Sequence, residues 1–201
     1  MRVGVLEETS GRVRDAFIAC GHDAVSCDIL PSEQPGPHIV GDVFDQDWDG
    51  FDLLICHPPC TRLCNSGVRW LEERNLWKEM EDAARFFARH FDLPVPRIGA
   101  ENPIMHKYAL DIIGWGPTQY IQPWMFGDGE TKATGLWLKN LPPLSIDTPL
   151  FAECRVVAGR EQRVHHEPPG PDRWKNRSRT YRGIASAFAE QWGSLPQESH
   201  Q

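Results

Sequence analysis

Cys60 follows a histidine and two prolines in the run Cys56-His57-Pro58-Pro59-Cys60-Thr61, directly after the apolar stretch Leu53-Leu54-Ile55. Two successive prolines fix φ and remove backbone donors, so a chain leaving a strand there is stiff and aims the next side chain reproducibly. A thiol held this way is suited to covalent attack. A cysteine at a strand end is more commonly a small buried hydrophobe, and the proline wedge is what separates the two readings. Glu101 closes the apolar run at residues 97–100 and is followed by Asn102-Pro103. A carboxyl group near a thiol nucleophile can move protons for it. Acids also mark other apolar runs: Glu7 after Arg2–Leu6, Asp28 after residues 24–27, and Asp42 in Gly41-Asp42-Val43. Each alone is an ordinary turn or capping acid. Together they suit a ligand with ribose hydroxyls and a cationic amino group.

For these residues to meet, the chain must bring them to one edge. Apolar runs alternate with helical patterns, which predicts parallel strands joined by helices. Strands are expected at 2–6, 24–28, 39–43, 51–56, 97–100, 120–124 and 134–138, and helices at 12–20 and 183–192. Trp70, Trp77, Met80, Ala84 and Phe87 recur at helical spacing, predicting one amphipathic helix over 70–91 whose stripe is core. In an open parallel sheet, ligands gather outside the carboxyl ends of the strands. That places Glu7, Asp28, Asp42, His57, Pro58, Pro59, Cys60 and Glu101 on a single rim.

The 201 residues suit one domain, read here as 1–193 with a flexible tail at 194–201. The N-terminus lacks a secretory or transit pattern, and no apolar stretch reaches the ~18 residues that span a bilayer. Six scattered cysteines read as reduced thiols in a cytoplasmic protein, the host cytoplasm if phage-encoded. A net charge of −7 argues against non-specific attraction to duplex DNA. Residues 155–182 run against that balance, with eight basic residues to three acids, and read as a phosphate-facing segment or a solvated loop.

The motifs resemble the cytosine-C5 DNA methyltransferases. That family's nucleophile loop is Pro-Pro-Cys with a glycine seven residues on, here Pro58-Pro59-Cys60 and Gly67, and its second catalytic strand ends in Glu-Asn, here Glu101-Asn102. Weaker matches are Gly11 with its helix, Asp28, Asp42, and the closing segment 178–192. The chain is most similar to short phage-type members, which share His-Pro-Pro-Cys, Glu-Asn-Pro, Gln122-Pro123-Trp124-Met125-Phe126-Gly127 and Leu136-Trp137-Leu138-Lys139. The resemblance implies a Rossmann-like class I methyltransferase fold that binds S-adenosylmethionine. It assigns Glu7, Gly11, Asp28, Asp42, His57 and Pro58 to the cofactor, and Pro59, Asn102, Lys132, Arg177 and Arg179 to substrate. Cys60 would add to carbon 6 of cytosine while Glu101 protonates ring nitrogen 3.

The chain departs from that family in three places. The first loop, residues 6–11, lacks the usual early glycine. The family's Gln-x-Arg-x-Arg becomes Glu130-x-Lys132-x-Thr134. Only about forty residues separate Thr134 from Ser178, too few for a target-recognition domain. A free deoxycytidine nucleotide is therefore favoured as substrate over cytosine in DNA, although a homodimer would supply the missing half of a DNA cleft. Three other readings are weighed: N4-cytosine or N6-adenine amino-methylation, which needs no thiol; a zinc module on Cys56, His57, Cys60 and Cys64; and a non-catalytic cofactor- or nucleic-acid-binding protein. Pro-Pro inside the ligand spacing argues against the zinc module, so no metal is expected, and His165-His166 reads as a polar loop pair.

Overall fold

The computed structural model describes residues 1–148, 151 and 159–196, and the backbone alone of His165. Cys154, Arg155 and the last five residues of the expected tail lie outside the described residues. Seven strands form one sheet in the order β3-β2-β1-β4-β5-β7-β6. They are β1 Arg2–Leu6, β2 Asp23–Asp28, β3 His38–Val40, β4 Leu53–Cys56, β5 Arg97–Pro103, β6 Gln119–Ile121 and β7 Thr134–Lys139. Only β7 runs antiparallel to its neighbours. This is the mostly parallel, Rossmann-like sheet expected for a class I methyltransferase fold.

Strand periodicity explains why both faces are covered. Val3, Val5, Leu53 and Ile55 point into one core, with Phe17 of α1 (Arg12–Ala19) and Ile184 of α7 (Arg182–Ala187). Leu6, Leu54 and Cys56 point into the other, with Leu71 of α2 (Arg69–Glu73), Phe87 of α3 (Trp77–Arg89) and Ala109 of α4 (Lys107–Ile113). Successive side chains of a strand face opposite ways, so helices must cap both sides of a sheet with no polar face. Two short helices, α5 (Arg163–His166) and α6 (Arg173–Ser178), precede α7.

Several elements differ from expectation. The helix expected over 70–91 is two helices, because Arg74 ends the first and Asn75 turns left-handed at φ 49°. Asparagine tolerates that conformation better than most residues. The apolar stripe still serves the core through Met80, Ala84 and Phe87, while Trp70 and Trp77 stay half-exposed. The strand expected at 39–43 is β3 followed by a 3₁₀ turn, Val43–Asp45, capped by the Asp42 side chain. The strand at 120–124 stops at Ile121, where Pro123 starts another 3₁₀ turn, Pro123–Phe126. The closing helix ends at Ala187, and a π turn, Phe188–Trp192, completes it.

The first loop manages without its early glycine through Glu8. Its carboxylate, buried, accepts from the backbone N–H of Val13 at 2.8 Å and of Arg14 at 3.3 Å, capping α1 from inside the protein. Arg14, fully buried, donates to Ser26, Ser32 and the carbonyls of Pro35 and Pro37, tying the Pro-rich loop to β2. The closing helix is seated by Gly183. A Cβ there would lie 1.8 Å from the carbonyl oxygen of Phe126, in the Gln-Pro-Trp-Met-Phe-Gly segment. Gly183→Ala must therefore move backbone, and we expect it to lower stability by ~2–3 kcal/mol, read as a fall in the urea midpoint at unchanged slope.

Candidate active site

The carboxyl edge of the sheet borders a cavity of about 1150 Å³. By sheet order, Glu7, Asp28 and Asp42 lie at the β1, β2 and β3 ends, and Cys60 follows β4 in the middle. Lys132 precedes β7, whose Thr134 pairs with Pro103 of β5, so it comes to the same edge on the opposite side. Arg177 of α6 also lines the cavity. Asp28 and Asp42 thus come from strands on one side of the thiol and Lys132 from the other, while Arg62, Arg74 and Arg179 also line the cavity.

Cys60 is half-buried and borders the cavity, as do His57 and Pro59. Pro58 is buried behind them, and its carbonyl accepts from Asn102 Nδ2 at 2.8 Å. Asn102 itself is 1% exposed and does not border the cavity. Its sequence assignment to substrate is corrected: it fastens the proline loop to β5, so the two motifs hold each other in place. Pro58 is likewise a support rather than a cavity surface. Gly11 is buried at the start of α1 with φ 70°, and it too stands behind the wall formed by Ser10.

Glu101 lies inside β5 rather than at its end, one residue past the Cys56–Ala100 pair, and so directly beside His57. It is 8% exposed and sits behind His57 and Thr180, both of which border the cavity. Thr180 Oγ1 donates to Glu101 Oε2 at 3.4 Å, and His57 Nδ1 lies 3.6 Å from the same oxygen. Sequence reasoning missed Thr180, whose contact with Glu101 joins positions far apart in the chain. Cys56, the other cysteine of the motif, is fully buried in the core, and burial holds its thiol well above the ordinary range. Among the described residues no cluster of three or more His, Cys, Asp or Glu side chains could hold a metal ion.

Glu7 adopts φ 54°, a left-handed conformation that costs a glutamate ~1–3 kcal/mol and recurs at functional sites. His90, fully buried at the end of α3, explains its orientation. The His90 Nδ1 faces the carbonyl oxygens of Phe86 and Phe87 and must carry a hydrogen, while Nε2 meets Glu7 Oε1 at 2.8 Å. The other Glu7 oxygen is buried without a partner, as is His57 Nε2. Asn102 Oδ1 and Thr148 Oγ1 are also buried without a partner, and neither residue borders the cavity. No local pattern pointed to His90. Burial raises the Asp28 carboxyl pKa, against the pull of the backbone N–H of Leu30, which donates to it at 2.9 Å. Arg179 borders the cavity, and its guanidinium forms an ion pair with Glu33. Lys132 donates to the carbonyl of Arg177 at 3.1 Å.

Cys64 was named in the sequence only as a metal ligand. It borders the same cavity, and its backbone N–H donates to the Cys60 carbonyl at 3.1 Å, which brings the two cysteines together across one turn. The i to i+4 spacing across the turn after Pro59 is the signal that could have found this pair.

No protein-family model matches the chain, and no curated protein matches it. Among solved structures, one described as a candidate DNA modification methyltransferase encoded within an E. coli prophage superposes on 69% of this chain, with a TM-score of 0.43 and 14% identity. The superposition covers 46% of that structure's length, so the chain spans about half of it. No helix among the described residues is long and apolar enough to cross a membrane.

Proposed function

We propose that the protein is an S-adenosylmethionine-dependent methyltransferase that modifies carbon 5 of cytosine, a member of the cytosine-C5 family's short type. One observation carries the reading: the Cys60 loop and the Glu101 strand are clamped together by Asn102, at the cavity that Cys60 borders and Glu101 approaches through His57 and Thr180. The acids at the cavity fit the methyl donor. The orphaned Glu7 oxygen, with Asp28 and Asp42, offers acceptors for ribose hydroxyls and a counter-charge for an ammonium group. When bound, S-adenosylmethionine supplies an electrophilic methyl group on sulfonium.

The chain's own residues do the rest. Cys60 adds to carbon 6 of the pyrimidine, which makes carbon 5 electron-rich. Glu101, in its protonated form, donates to nitrogen 3 and takes up the charge that the addition displaces. Thr180 and His57 hold its carboxyl group in place. Once carbon 5 carries the methyl group, water takes its proton, the ring double bond re-forms as Cys60 leaves, and nitrogen 3 returns its proton to Glu101.

A free deoxycytidine nucleotide is our preferred substrate over DNA. Lys132 and Arg177 border the cavity that Cys60 also borders, and the two helices α5 and α6 described between β7 and α7 are short. The decisive measurement gives labelled donor with dCMP, dCTP or a cytosine-containing duplex, followed by mass spectrometry of the base. We expect 5-methylcytosine, fastest from a nucleotide. Faster labelling of the duplex overturns the substrate choice, and a label on the exocyclic nitrogen overturns the carbon-5 assignment.

A further inference from the structure

We propose that residues 177–180 form a gauge for one deoxycytidine nucleotide: Arg177 and Arg179, with Lys132, hold its 5′-phosphate, while Thr180 holds Glu101 to its base. This rests on the carbon-5 reading above and adds to it a phosphate site and the reason the phosphate matters. Arg177, Ser178, Arg179 and Thr180 all border the cavity. α6 carries the first two, and Arg179 is the residue at which the chain leaves that helix. Lys132 joins them from the segment before β7, its Nζ donating to the Arg177 carbonyl at 3.1 Å.

The two arginines are free to different degrees. Among the described residues the Arg177 guanidinium has no partner. The Arg179 guanidinium is aimed, with Nη2 donating to Glu33 Oε2 and Nη1 to Asn176 Oδ1 at 3.4 Å. Glu33 is pinned in turn, its Oε1 accepting from Thr9 Oγ1 at 3.1 Å and its N–H donating to the Thr9 carbonyl at 2.7 Å. Glu33 does not border the cavity, so it holds Arg179 from behind. A guanidinium presents five N–H donors in a planar fork, and these two contacts leave several for a phosphate. At the other end of the segment, Thr180 Oγ1 meets Glu101 Oε2 at 3.4 Å, and Arg12 Nη1 donates to the Thr180 carbonyl at 2.9 Å. Three residue steps span at most ~11 Å, so a short piece of chain ties the cations to the catalytic carboxyl group. A nucleotide held at both ends keeps one register, and attraction to the unreacting phosphate helps to place carbon 6 at Cys60.

Calorimetry with deoxycytidine, dCMP and inorganic phosphate tests the gauge on the wild type, Arg177→Gln and Arg179→Gln, with donor affinity measured alongside. We expect dCMP to bind the wild type ~10²-fold more tightly than deoxycytidine, and inorganic phosphate to compete with dCMP alone. Each variant should lose ~10-fold or more in dCMP affinity while its affinity for deoxycytidine and for the donor is unchanged. Methyl transfer should follow the same order, with kcat as well as KM poorer for deoxycytidine, because a truncated substrate loses kcat. Arg177 makes no side-chain contact among the described residues, so its variant reads the site even if Arg179→Gln disturbs the Glu33 loop. Equal wild-type affinity for dCMP and deoxycytidine overturns the proposal, as does a loss in Arg177→Gln that deoxycytidine shares. Arginine-dependent binding of dCMP without any label at carbon 5 overturns the carbon-5 reading and the base end of the gauge, and leaves the phosphate site standing. A cytosine strand without a terminal phosphate that binds more tightly than dCMP overturns the free nucleotide as the source of that phosphate.

Discussion

Cys60→Ser is expected to lower carbon-5 methyl transfer by ~10³-fold or more, with the donor still bound at nearly its original affinity. Serine keeps the shape of the side chain, so the cavity wall is preserved. What it loses is nucleophilicity, because a hydroxyl gives up its proton far less readily than a thiol. A 10³-fold loss corresponds to ~4 kcal/mol of transition-state stabilisation. Initial rates with labelled donor, beside donor affinity by calorimetry, check both halves. The same variant separates covalent from non-covalent chemistry. Amino-methylation needs no thiol, so a Cys60→Ser protein that keeps most of its transfer excludes the covalent route.

Glu101→Gln should lower kcat by ~10²–10⁴-fold, the usual span for removing a positioned acid or base, while changing KM little. Glutamine can accept the Thr180 hydrogen bond through its carbonyl oxygen and occupies the same volume between His57 and Thr180. It has no acidic proton for nitrogen 3. The loss therefore falls on the addition step, where charge develops, and not on binding. Steady-state kinetics across a substrate series tests this, and a variant that raises KM with kcat unchanged would show Glu101 to be a binding group instead. Thr180 lies one step further out and touches the reacting atoms only through Glu101, so it is a positioning residue.

The sequence by itself determined the strands and the rim. Alternation of Val3 and Val5 against Gly4 and Leu6, and of Leu53 and Ile55 against Leu54 and Cys56, is a local pattern that a two-faced sheet demands. The stiffness of Pro58-Pro59 is also local, and with the Asn102 clamp it holds Cys60 at the cavity. Glu7, Asp28 and Asp42 reached the same edge because parallel strands all end on one side. Tertiary structure alone decided which side chains hold which. His90 on Glu7 and Thr180 on Glu101 join residues 83 and 79 positions apart, and no spacing rule links such positions. It also turned the Asn102 amide onto the Pro58 carbonyl, since an amide near a rim can face the ligand or the neighbouring chain, and only packing chooses. Local sequence sets backbone direction and hydrophobic face through short-range sterics. Hydrogen-bond partners of buried polar groups are set by whichever distant segments the folded core brings within about 3 Å.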